Sequence, residues 1–262
     1  MMGIETTITK VVDACNKLTD TVTNQIGKID ARVEAASSQF TAWRNSVQAK
    51  DINGRALYKQ EIDLTGLPTD TFYPVWWTMP GNESGETEIT LSRIYSRDQE
   101  LEPFGKGVYH IAGLNLQMEG CGYIWNGDGN LLSIKRISQT YRESVRGVSF
   151  GMICVARHIT GVRPLYQGVA DGQVIQAAMH SGVYLRGGLG YTVTKSFAGA
   201  VGFSRSDSEV AIGESTQGDW EIRWCVRPYR LADADAVLGA TLPEKRLAYS
   251  YDNDKIYASK GV

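Results

Sequence analysis

The stretch GCGYIWNGDGN at residues 120–130 gathers two aromatic rings and three side chains rich in hydrogen-bonding atoms between glycines. Tyr123 and Trp125 offer flat apolar faces on which a sugar ring can stack, and Asn126, Asp128 and Asn130 can bind its hydroxyls. The same residues would also build a glycine-rich hairpin that buries Trp125. Asn126, Asp128 and Asn130 imitate the first ligands of a calcium loop as well. That pattern needs Gly at its sixth position and Glu at its twelfth, where Leu131 and Ile137 stand, so no metal is expected. A second candidate is YLRGGLGY at 184–191, where Arg186 and Tyr191 could meet an anionic sugar; its other reading is a strand kinked at Gly187 and Gly188. Trp76 and Trp77 are expected in a core or at a junction.

Catalytic patterns are weaker. GVSFG at 147–151 matches G-x-S-x-G, and Ser149, Asp171 and His180 follow in the chain order of the α/β-hydrolases. A nucleophile elbow needs a strand, a sharp turn and a helix, whereas SFGMICVARHI continues as an extended apolar run, so no catalytic residue is expected. Cys15, Cys121, Cys154 and Cys225 are widely spaced and make no CxxC or Cys/His cluster. No cofactor is implied.

Global charge narrows the partners. With 27 basic against 29 acidic residues the chain has no electrostatic footprint for a phosphate backbone or an anionic membrane, so nucleic acid is not the expected partner. No apolar run approaches the roughly 20 residues of a bilayer span. The start, MMGIETTITK, lacks the apolar core of a signal peptide, which predicts folding in a reducing cytoplasm with free thiols.

The elements that must position these residues fall into two unlike parts. Of 28 Gly and 25 aromatic residues only two of each lie in the first 50 positions, and all 7 Pro lie beyond them. From residue 4 the apolar positions recur at intervals of three and four: Ile4, Ile8, Val11, Cys15, Leu18, Val22, then Ile26, Ile29, Val33, Ala36, Phe40, Trp43 and Val47. This is a heptad seam with one inserted four-residue step between Val22 and Ile26. It runs too long for an ordinary surface helix and predicts a self-associating coiled coil over residues 1–50. β-branched residues at both kinds of seam position favour three strands, hence a parallel homotrimer.

Asn53-Gly54, Gly66, Pro68, Pro74 and Pro80 forbid a helix through 51–81, which reads as a junction ending in the strand FYPVWW, with Pro74 confining that strand to an edge or bulge. Residues 82–262 alternate β-branched and aromatic runs with Gly, Asn and Asp, the pattern of an all-β head. Strands are predicted at 87–96, 108–119, 131–141, 148–159, 172–179, 182–196, 208–214 and 219–229. Several have one polar face, so the expected fold is mainly β, an antiparallel β-sandwich head on a trimeric coiled-coil stalk. The last thirty residues read as an extra strand or as a tail laid on a neighbouring subunit.

A heptad stalk followed by KDINGRALYKQEIDLTGL, then TFYPVWWTMP and a glycine-rich β head containing HIAGLNLQMEG, LLSIKRISQTYR and YLRGGLGY, resembles the distal, C-terminal part of tail fibres of tailed bacteriophages and prophages. The resemblance implies a homotrimeric virion protein, joined to the rest of the fibre, whose tip binds lipopolysaccharide glycan or an outer-membrane protein during host adsorption. Fibre tips of this kind that bind iron use His-x-His pairs, and His110, His158 and His180 form none. Two other readings stay open: a tailspike-like enzyme cleaving glycan with paired carboxylates, and a purely structural fibre segment.

Overall fold

A computed structural model of the chain describes residues 2–46, 49–50, 56–81, 87–94, 113–122, 130–140, 143–161, 163–166, 168–177 and 179–243, with side chains in the first helix described up to residue 33 apart from a few positions. The chain divides into two compact units, Met1–Ala49 and Lys50–Val262.

The first unit is a single helix, α1 (Met2–Ser46). At ~1.5 Å per residue its 45 residues extend roughly 67 Å. No proline interrupts it, and Thr7, Thr19 and Thr21 return their hydroxyls to carbonyls four residues back, which keeps these β-branched side chains compatible with the helix. Its seam is uncovered in the single chain: Ile4 is 70% exposed, Leu18 65%, and Ile8, Val11, Val22, Ile26, Ile29 and Val33 each about half or more.

The second unit is mainly antiparallel β. Its strands are β1 (Ala49–Lys50), β2 (Ala56–Asp63), β3 (Thr71–Trp77), β4 (Thr87–Arg93), β5 (Gly113–Gly122), β6 (Asn130–Thr140), β7 (Val145–Ser149), β8 (Met152–Arg157), β9 (Val174–Ala177), β10 (Ser181–Arg186), β11 (Gly190–Lys195), β12 (Gly202–Phe203), β13 (Val210–Gln217), β14 (Trp220–Val226) and β15 (Tyr229–Arg230); α2 (Leu231–Leu238) follows. They form three sheets: β1-β2-β11-β4-β5-β6, the central β12-β3-β10-β7 with β15 also on β3, and β13-β14-β8-β9.

Three sheets stand where a two-sheet sandwich is expected, because β3 and β10 carry apolar side chains on both faces. Tyr73, Val75, Trp77, Val183 and Leu185 fill a core shared with the first sheet, while Phe72, Trp76 and Tyr184 turn to a second core with Met152, Cys154, Ile222, Trp224 and Val226. A strand covered on both sides loses its polar alternation.

The chain passes between layers at glycines. The single strand expected at 148–159 is two strands in different sheets, β7 and β8. The strand expected at 182–196 likewise divides into β10 and β11 at Gly187-Gly188, where Gly188 takes the left-handed backbone at φ 76°. A Cβ on Gly187 would meet the carbonyl of Pro68 and the Tyr73 ring.

Pro74 lies in a central strand, contrary to the edge position expected, and the geometry explains how. On one side it faces Tyr184 of β10. On the other, β15 pairs only with Thr71 and Phe72, and β12 only with Val75 and Trp76, so the missing N–H falls in the gap between two short partners. Its carbonyl still accepts from Ser204 N at 3.2 Å.

The supposed junction 51–81 is also part of the β unit. In β2, Lys59, Glu61 and Asp63 face solvent while Ile62 is buried, and β3 is the centre of the fold. LADADAVL, read as part of an extra strand or tail, is helix α2, whose Ala234 and Leu238 are buried in the second core.

Candidate functional site

The structure treats the two candidate loops differently. Tyr123, Trp125, Asn126 and Asp128 lie outside the described residues, and Asn130 opens β6 with its backbone opposite Gly122. Arg186 and Tyr191 lie in the interior, which corrects the surface role expected of them. The Arg186 guanidinium donates to the carbonyls of Thr69 and Glu143 and stands 6.0 Å from the centre of the Phe72 ring. Tyr191 OH donates to the Arg186 carbonyl at 2.8 Å, and burial pushes its phenol well above the ordinary value. Both polar tips satisfy backbone carbonyls, so both side chains can be buried without an orphaned group. Trp77 is core, as expected, and Trp76 packs half-buried against the second core.

Ser149, Asp171 and His180 are not assembled into a triad. The Ser149 hydroxyl donates to the Gly151 carbonyl at 2.7 Å, and Asp171 pairs with Arg157. His180 Nε2 lies 3.1 Å from the Ile212 carbonyl, which can only accept, so that nitrogen carries the proton; Nδ1 faces the Thr78 hydroxyl at 3.2 Å.

An open cavity of about 690 Å³ lies at one end of the first sheet, lined by Ala56, Thr78, Met79, Pro80, Thr87 and the loop Ser196–Ala200. Its size suits a small ligand or one ring of a larger one. Two lining residues are tied to the end of β5: Thr87 Oγ1 donates to the Gly120 carbonyl at 3.0 Å, and Gly122 N donates to the Pro80 carbonyl at 2.7 Å. Gly122 approaches so closely that a Cβ would sit 2.8 Å from the Met79 carbonyl oxygen.

The lining loop Ser196–Ala200 is held at both ends. Lys195 is buried and donates from Nζ to the carbonyls of Phe197 and Gly199 at 2.6 and 2.5 Å, with the Tyr58 and Phe197 rings 4.9 and 4.7 Å away. Burial lowers its pKa, since the ammonium has left water. Gln60 clamps the other end through both amide atoms, accepting from Val201 N at 3.0 Å and donating to Val201 O at 2.6 Å. Ser196 and Glu88 exchange further bonds at the start of the loop. A wall held in this way keeps its shape before a ligand arrives, which lowers the cost of binding.

Comparison with known protein families, curated proteins and solved structures found no match.

The site therefore has to be read from its chemistry. The described lining carries hydroxyls, carbonyls and apolar surface but no charged side chain, a surface suited to a neutral polar ligand. Lys195 and Gln60 are absent from the sequence-based candidates, although each had a signal. Lys195 continues the inward set Tyr191, Val193, and Gln60 lies between the outward Lys59 and Glu61 in the same register as Ile62. A polar residue at an inward position of a strand marks a group that must find a partner.

Proposed function

We propose that this chain is the distal part of a homotrimeric phage-type tail fibre, carried on the virion, whose β head binds a bacterial surface glycan or outer-membrane protein noncovalently during host adsorption. The observation that carries the reading is the exposed apolar seam of α1, continuous from Ile4 to Val33, in one chain with an antiparallel β unit. A seam of this length in water calls for identical partners. Three heads on one coiled-coil stalk would present three copies of a weak site, and linked sites gain avidity of ~10²–10⁴ without new contacts. The preformed cavity, lined by hydroxyls, carbonyls and apolar surface, supports placing recognition at this end of the first sheet.

Two measurements test the reading together. Light scattering is expected to give three times the 28.8 kDa of one chain. The trimer should adsorb to intact host cells or their stripped lipopolysaccharide, and Trp125→Ala with Asp128→Ala should weaken adsorption at least tenfold, on the order of two lost sugar contacts. A trimer that binds no cells would favour a structural fibre segment, and release of reducing ends from host polysaccharide would favour the glycan-cleaving alternative.

A further inference from the structure

The long connection between β8 and β9 is a second feature of the head with the build of a binding surface. It is anchored at several points. Thr160 donates from both N and Oγ1 to Glu221 Oε1, at 2.7 and 2.6 Å, and Glu221 N donates back to the Pro164 carbonyl at 3.2 Å. The His158 ring donates from Nδ1 to the Arg163 carbonyl at 3.2 Å, and Val169 N bonds the Tyr166 carbonyl at 2.9 Å. Leu165 is buried in the second core. The Thr160 bonds, with the nearby charges of Arg163 and His158, hold the Glu221 carboxyl below the usual carboxylate range, so this anchor persists at neutral pH.

With Leu165 turned inward, Tyr166 is turned outward. Its ring leans on Trp220 at 4.4 Å between centroids and 57° between planes, yet the residue remains 42% exposed. Among the described residues no other aromatic leaves so much surface in water. Trp220 is itself fixed at the start of β14, opposite Gln217 across the turn at Gly218-Asp219. The charged side chains of Arg163 and Asp219, both exposed, flank this pair in the sequence of its two supporting elements. A partly exposed aromatic backed by a second ring, with exposed charged residues beside both in sequence, offers what a pyranose needs: a ring for its C–H face to stack on and polar groups for its hydroxyls. An aromatic needed only to close the loop would gain more by burying its outer face.

We propose that Tyr166 and Trp220 form a saccharide-binding shelf on the four-stranded sheet, with Arg163 and Asp219 engaging hydroxyls of a neutral pyranose stacked on Tyr166. The shelf is distinct from the cavity beside Pro80. It is a property of the folded β unit and does not depend on the fibre reading.

Saturation-transfer NMR on the full chain, with free glucose, galactose, rhamnose and N-acetylglucosamine as probes, tests it. At least one sugar should receive magnetisation through the ring C–H protons of one face. Tyr166→Ala should weaken that binding about tenfold while Tyr166→Trp retains it. Ala198→Trp, which fills the cavity, should leave it unchanged. Should Tyr166→Ala fail to fold, Arg163→Ala with Asp219→Ala takes its place, with a loss of about fivefold expected. No transfer from any sugar, transfer undiminished by these changes, or transfer abolished by Ala198→Trp would overturn the shelf. A protein that binds sugar here but never adsorbs to cells would keep the shelf and refute the fibre function.

Discussion

The helix and the β unit spend their apolar residues in opposite ways. In α1 the isoleucines and valines of the seam stand in water, whereas in the β unit Ile62, Leu64, Ile89, Leu91, Val183 and Leu185 are wholly covered by their own chain. Burial of apolar area contributes ~25 cal/mol per Å², so the β unit stabilises itself and the helix cannot. An isolated helix of this kind draws little from propensity alone, and most of its stability must come from packing against something else. The lesson of the contrast is that composition does not distinguish a core from an interface. Periodicity and coverage do.

The sharpest way to break this contrast is to charge the seam. Ile8→Asp with Ile29→Asp would place unpaired carboxylates in the proposed three-chain interface, where burying a charge without a partner costs several kcal/mol per site. Light scattering should fall from three chains to one, while the near-ultraviolet circular dichroism of the β unit stays as it was. A wild-type protein that is already monomeric would remove the trimer; a collapse of the β-unit signal would show that the two units depend on each other.

The converse change strikes the covered side. Trp77 is buried in the first core, donating its indole N–H toward the Met79 sulfur. Trp77→Ala should destabilise the β unit by about 3–5 kcal/mol, as large-to-small changes in packed cores do. The unfolding midpoint read from the remaining tryptophans should drop, and the oligomeric mass should not. Loss of less than about 1 kcal/mol would mean that the cavity collapses and that the core is looser than its burial implies.

What the sequence disclosed follows the same line. The seam of α1 can be read directly, because a one-sided pattern survives as spacing, and β4, β6, β13 and β14 lie within a few residues of the expected ends for the same reason; β5 begins at Gly113, and the earlier part of the strand expected at 108–119 lies outside the described residues. β2 was passed over as a junction: Lys59, Glu61 and Asp63 dominate its composition, although they share one outward face. β3 and β10 showed no alternation because both faces are buried, so nothing in FYPVWW or SGVYLR announced a third sheet. The layer changes at Gly147–Gly151 and Gly187–Leu189 look, in one dimension, like continuous strands. Of the candidate site, Tyr123, Trp125, Asn126 and Asp128 lie outside the described residues, and the structure adds a cavity lined by residues that the composition did not single out. Arg186 and Tyr191 were read as surface groups because a polar tip suggests water; here each tip meets a backbone carbonyl, a partner no side-chain pattern encodes.

The mildest probe is acid, which separates ionic from apolar stabilisation within the β unit. Glu209 accepts from Arg157 at both oxygens, at 2.7 and 2.8 Å, and the hydrogen bonds from Arg157 hold its carboxyl below the ordinary range, against the opposing effect of partial burial. A carboxyl depressed in the folded state contributes stability that is present above its unfolded pKa of roughly 4.3 and lost as pH falls through the lower folded value. The pair is partly exposed, so its contribution is about 0.5 kcal/mol. Thermal midpoints of wild type and Glu209→Gln, measured from pH 7 down to pH 3, should therefore differ slightly at neutral pH and converge in acid. An equal gap at both ends would assign the loss to packing around Glu209 and leave the apolar layers as the main source of the β unit's stability.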